Sequence, residues 1–173
     1  MSSIHKAIGA VFLDANFPDG EATPRTLAFS AMKYTHGRIT RTTQHYLRHM
    51  GRSPSNWQEA LDNEGALCQG IVWAMQAILV AFGIRSREVG VFFDEDRTHV
   101  VLEVEWDDKP HVFDPTYGAW FQREDDILSF EEIDEEKDPQ SLMLYDALSV
   151  VDAYKPFDYI EKPGRELVYH DWM

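Results

Sequence analysis

The run from Cys68 to Phe82, CQGIVWAMQAILVAF, constrains this chain more than any other stretch. It is apolar on nearly every face, which marks a helix buried on all sides rather than one lying half in solvent. Gly83 supplies the expected stop, since glycine takes the left-handed conformation that closes a helix. The run falls short of the roughly 20 apolar residues that a bilayer demands. It therefore reads as the core helix of one domain, a size that suits a chain of 173 residues. Around it the chain divides into an N-terminal helical part (1–60), a core (61–120) and an acidic C-terminal extension (121–173).

Downstream, three segments carry strand patterning: Arg87–Phe93, His99–Trp106 and His111–Pro115. The turns between them are Asp94-Glu95-Asp96-Arg97 and the two-residue Asp107-Asp108. Upstream, residues 4–13 suit an edge strand or a short helix, and 17–24 are turn chemistry. Residues 25–50 read as helical, split at Gly37. Ser55 with Gln58 forms a capping box for a short helix, NWQEAL. In the extension, residues 124–138 hold nine acids and one lysine, and Ser129 with Glu132 makes a second capping box. Residues 141–154 are apolar enough to dock as a helix.

Sixteen basic against thirty acidic side chains give a net charge of −14. Such a surface repels nucleic acid and anionic membrane, so neither is an expected partner. The single cysteine excludes an internal disulfide and a thiolate zinc cage. His45 and His49 stand four apart on a helical pattern, yet the run HYLRH lacks a metalloprotease glutamate and a third ligand. We expect no metal and no cofactor. The opening MSSIHKAIGAVFLDANF has a short apolar run broken by Asp14, so no signal peptide is expected and a cytoplasmic location is.

The chemistry rests on the order Cys68, His99, Asp114: a nucleophile, a base and an orienting acid. Cys68 stands where the buried helix starts. The N–H groups and dipole there favour thiolate over thiol. The plainer reading is an inert core cysteine, since free cysteine is among the most buried residue types. His99 weighs against that. If Asp107-Asp108 closes a two-residue hairpin, position 99 falls opposite 116, and Asp114 becomes its diagonal neighbour on one face. His111 is the rival base, but an odd separation from Asp114 sends the two to opposite faces, leaving His111 a structural histidine. One conflict stands. Glu103 and Glu105 share the face of His99, the face the central helix is expected to cover. Either the helix crosses only the His99 end, or the strand carries a bulge.

The same residues resemble the catalytic core of the transglutaminase-like superfamily, a branch of the papain-like cysteine enzymes. The matching motifs are Gly65-Ala66-Leu67-Cys68, Gly83-Ile84-Arg85-Ser86-Arg87, His99-Val100-Val101-Leu102-Glu103-Val104 and Asp114-Pro115-Thr116. The chain departs from the pattern by one extra residue before the cysteine and by a proline-poor GIRSR, neither of which touches the three reactive positions. The resemblance implies Cys68 as nucleophile, His99 as its proton partner and Asp114 as the group that orients the imidazole. It also implies an α+β fold, with a central helix carrying the cysteine packed on an antiparallel sheet.

For an oxyanion, the backbone N–H of Cys68 is one expected donor. The upstream candidates for a second are the Trp57 indole and the Asn63 amide; their plainer roles are core packing and turn formation. The expected activity is acyl chemistry through a Cys68 thioester on a peptide, protein or amide substrate, with hydrolysis leading. The alternatives are acyl transfer to an amine and a non-catalytic binding module. If the acidic extension rims the site, its charge favours basic substrates and raises the thiol pKa.

Overall fold

The computed structural model describes residues 2–16, 20–39, 52–92, 98–145 and 166–173. Four helices come first: α1 (Ser3–Ala15), α2 (Pro24–Ile39), α3 (Trp57–Asn63) and α4 (Cys68–Ala81). Strands β1 (Ser86–Phe92), β2 (Thr98–Trp106), β3 (Lys109–Asp114), β4 (Ala119–Arg123) and β5 (Asp126–Ile127) follow. A short helix α5 (Phe130–Asp134) and a single 3₁₀ turn (Pro139–Leu142) lead to β6 (Met143–Tyr145) and β7 (Glu166–Tyr169). The class is α+β. Among the described residues the sheet is antiparallel in order β5-β4-β3-β2-β1-β7, and β6 also pairs with β4. The division expected at residue 121 falls inside β4, and later strands join the same sheet. No single helix among the described residues is long and apolar enough to cross a membrane.

Local signals explain most boundaries. The α4 stop is a full Schellman closure: Ile84 N–H donates to Leu79 O, Gly83 N–H to Val80 O, and Gly83 has φ 74°. Asp107 and Asp108 have φ 54° and 57°, the pair of positive values that a two-residue hairpin turn of this twist needs. That turn sets the register Trp106↔Lys109 through Leu102↔Phe113 as the sequence predicts. Ser129 and Glu132 form the expected capping box on α5.

One open choice is decided and three expectations change. Residues 4–13 lie within a helix, and α2 runs through Gly37 without a break. A glycine inside a helix costs about 1 kcal/mol. The neighbours Thr35, His36 and Ile39 are buried, and their packing outweighs that cost. The cap of α3 is Asn56, not Ser55. Its side chain accepts from Glu59 N–H, while Glu59 in turn accepts from the backbone and hydroxyl of Ser55. Asparagine caps as well as serine, so the helix starts one residue later. In place of the helix expected over 141–154, the segment opens on the end of the 3₁₀ turn and then β6, because Met143–Tyr145 finds the open edge of β4. The rest of that segment, the rest of the 25–50 pattern with His45 and His49, and the turn at 94–97 lie outside the described residues.

The sheet is buried on both faces. Leu102, Val104 and Phe113 pack with Ala7, Val11, Ala28, Met32, Ile71, Met75 and Ile78 from the helices. Val89, Val91, Val101 and Val112 face the other way, onto Phe121, Leu128, Phe130 and Ile133. The helices therefore cover the Leu102 face, and Glu103 points into the second core, which corrects the face expected from the sequence. There the Glu103 carboxylate accepts from Arg87 Nε at 2.8 Å and from Phe130 N–H at 3.0 Å. Neither a bulge nor a crossing is needed, and the β1–β2 register is unbroken from Ser86↔Val104 to Phe92↔Thr98.

Gly70 shows how tightly α4 is seated. A Cβ there would lie 2.6 Å from the Ala66 Cβ, whereas one at Gly9 in α1 meets nothing within 4 Å. Gly70→Ala is expected to destabilise by about 1–3 kcal/mol. Gly9→Ala is expected to stabilise by about 0.5–1 kcal/mol. Denaturant titration of both variants checks this; equal midpoints would contradict the packing described.

Candidate active site

Cys68 is the first residue of α4, after Leu67 in extended conformation. Its place at the sheet follows from where β3 stops. Glu105 N–H donates to Arg85 O, so odd residues of β2 turn their backbone groups toward β1. Val100 therefore turns its N–H toward β3. But β3 ends at Asp114, and β2 and β3 pair only as far as Leu102↔Phe113. The Val100 N–H stands on an open edge and donates to the Cys68 sulfur. The helix start is docked against the end of the sheet at that point.

His99 is buried beside it, 6 % exposed, and Asp114 is wholly buried. His99 Nε2 donates to Asp114 Oδ2 at 2.8 Å. The ring also hydrogen-bonds the Cys68 thiol, and with Nε2 on the carboxylate, Nδ1 is the nitrogen left for the sulfur. Asp114 is itself fixed. Its Oδ1 accepts from Thr116 N–H at 3.0 Å and Tyr117 N–H at 3.2 Å, an Asx turn that begins at Asp114 and passes through Pro115. His36, buried on α2, donates from Nδ1 to Thr116 O at 3.1 Å. Its ring lies against Gly118, where a Cβ would come within 3.0 Å. The loop that presents Asp114 is thus clamped to the helical layer.

The charges follow from these contacts. Burial pushes the Cys68 thiol up, but the His99 hydrogen bond and charge, with the Val100 and Gln69 N–H groups, bring it below its ordinary value. Burial pushes His99 down, but the Asp114 charge and hydrogen bond and the Cys68 contact raise it to about 10. Both directions favour a thiolate–imidazolium pair. Tyr117, whose ring is 5.3 Å from that of His99, is pushed up to about 12 by burial and by the charges of Asp114 and Cys68. It stays a neutral phenol.

The sequence-predicted residues divide cleanly. Cys68, His99 and Asp114 come together in one hydrogen-bonded chain. His111 sits elsewhere, stacked on Trp106 at 3.6 Å with Nδ1 donating to Ile127 O at 2.6 Å. The Asn63 amide donates back to Glu59 O in its own helix at 2.8 Å. Trp57 lines a cavity beside α4 together with Trp73. Sequence reasoning missed the Val100 N–H, Tyr117 and His36. Only Tyr117 carried a signal, its place three residues after Asp114; the others depend on where β3 ends and α2 docks.

No family model matches this chain, and no curated protein matches it. A solved structure described as "Crystal structure of a TGase" is similar at 20% identity and a TM-score of 0.49. The match covers 66% of this chain and 31% of that one, so this chain spans about a third of the length of its neighbour. At that distance the likeness carries no argument about chemistry, which is read from the residues themselves.

The ion pair has a pH signature. Iodoacetamide should modify Cys68 with an inflection below that of an ordinary thiol. In His99→Ala the imidazole's hydrogen bond and charge go while burial and the Val100 and Gln69 N–H contacts remain, so the inflection should move upward. Because the folded His99 pKa lies above its ordinary 6.5, its stabilising contribution is full below that value and is lost as pH rises through about 10. Alkylation profiles of both proteins check the first statement. Melting midpoints of the wild type and His99→Ala that stay parallel up to pH 10 would contradict the second.

Proposed function

We propose that the protein is a cysteine-dependent enzyme of acyl chemistry, of transglutaminase-like type, that cleaves an amide bond in a peptide or related substrate. The observation that carries this reading is the Cys68–His99–Asp114 chain at the first residue of α4. The Cys68 thiolate attacks the carbonyl carbon, and the oxygen takes the negative charge. The Cys68 N–H at the open helix start is a donor for that oxyanion. As the C–N bond breaks, the His99 imidazolium gives its proton to the leaving nitrogen. The thioester that remains is attacked by water, whose proton passes to neutral His99 as the sulfur departs as thiolate. Asp114 keeps Nε2 protonated and holds the ring plane throughout. Tyr117 packs beside the imidazole and helps keep bulk water from it.

If an amine attacks the thioester in place of water, the same residues carry acyl transfer. Both outcomes share one intermediate, so trapping it tests the reading. Intact-mass analysis after mixing with a panel of amide and ester acyl donors should show one acyl group on Cys68, and none in Cys68→Ala. Asp114→Asn should keep the fold but lower turnover by about 10²–10⁴. A donor-independent mass, or acylation that persists in Cys68→Ala, would sink the proposal. Adding a primary amine to the trapped thioester then separates hydrolysis from transfer by the mass of the released product.

A further inference from the structure

Along α4, from Trp73 to Val80, lies a cavity of about 390 Å³ between the start of α3, one face of α4 and the Glu88 end of β1. That volume is within the roughly 300–1,000 Å³ usual for pockets that hold small groups. Trp57, Trp73, Ala77, Val80 and Met173 line it, and Glu88 is its charged group. Trp73, Ala77 and Val80 share a helix face with Gln69, at intervals of four, four and three residues. Gln69 directly follows Cys68, and its side chain hydrogen-bonds Glu88. The carboxylate is therefore one side chain away from the residue after the nucleophile.

Glu88 is half-buried on β1, on the face that looks toward α4. Burial pushes its carboxyl above the usual range, opposed by hydrogen bonds from Trp73 and Gln69 and by the charge of His170. No lysine or arginine pairs with it among the described residues. Indole faces and aliphatic walls suit a long apolar stem, and a carboxylate between neutral donors suits a cationic head. Against a net charge of −14, a cation is also the group drawn to this surface.

We propose that this cavity is a specificity subsite that holds a lysine or arginine side chain of the substrate close to the scissile amide. The aliphatic stem lies against Trp57 and Trp73, and the cationic head meets Glu88. The assignment rests on the amide-cleaving reading above and adds to it the class of residue recognised.

Two measurements on the full chain separate the subsite from the chemistry. The first compares kcat/KM for matched peptide amides that carry lysine or norleucine next to the scissile bond. Lysine should be favoured by about tenfold or more, the scale of one desolvated cation–carboxylate and cation–indole contact. In Glu88→Gln the lysine-to-norleucine ratio should fall to near one. The second follows binding of Nα-acetyl-lysinamide and Nα-acetyl-norleucinamide to Cys68→Ala by tryptophan fluorescence, with and without Glu88→Gln. Trp57→Leu, at an exposed helix start, should weaken the lysine ligand if Glu88→Gln does not fold. Turnover without a lysine preference would overturn the subsite and leave the enzyme reading standing. Glu88-dependent binding of lysinamide without turnover of any donor would support the subsite and sink the amide-cleaving reading. Equal binding of both ligands would overturn the subsite.

Discussion

The structure depends on where β3 ends. Asp114 is followed by Pro115, which has no N–H to offer a ladder and favours a turn. The Asp114 carboxylate takes up the next two N–H groups, so the chain leaves the sheet at that residue. That departure exposes the edge of β2 at Val100. It also leaves the second carboxylate oxygen of Asp114 facing His99. One residue thereby ends a strand, opens a place for the helix start and fixes the imidazole. Further pairing of β2 with β3 beyond Leu102↔Phe113 would fill the edge that the sulfur uses.

The charge at this junction is held by local groups rather than by the net charge of the chain. The thiolate is favoured by three neighbours at hydrogen-bond distance, and buried contacts are little screened. The acidic stretch lies elsewhere. Phe130 and Ile133 of α5 are buried in the second core, across the sheet from the helices. Three of its acids pair with bases there, Asp126 and Glu132 with Lys109 and Glu136 with Arg123. From Leu128 to Ile133 the chain thus builds the back of the sheet, while Ile127 packs with the helices. None of the stretch's acids is among the groups that shift the Cys68 thiol.

The legible parts of the sequence were those governed by short-range rules. The apolar run of α4, the Gly83 stop and the Asp107-Asp108 turn each depend on a few adjacent residues, and together they set the register that carries His99 toward Asp114. Capping was legible in kind but slipped by one position, because Asn56 and Ser55 are nearly equal as caps. The choice of sheet face was not legible. A glutamate in a strand reads as solvent-facing, and nothing near Glu103 in sequence announces Arg87 or the Phe130 N–H that satisfy it. The Val100 N–H was invisible for the same reason, since a backbone group has no identity in a sequence. Face parity assumed that helix and strand meet across the sheet. They meet at its edge, where parity of side chains does not decide what is reached.

Glu88 and Glu103 make the last contrast. They lie on neighbouring strands, one toward each core, and both lose much of their water. Glu103 is matched inside the fold. Arg87 donates to it while lying over Tyr169 at 4.5 Å and Trp172 at 4.6 Å, so its partner is itself held in place. That pair is fully employed, and its removal would leave a buried charge without compensation. Glu88 meets two neutral donors and the charge of His170. Neutral donors orient a carboxylate but do not cancel it. A carboxylate in that state keeps a field pointing into the space beside it, and here the space is an indole-lined cavity along α4. The same residue type thus has two roles set by its neighbours: a structural charge closed within the fold, and an open one that a cationic group can complete.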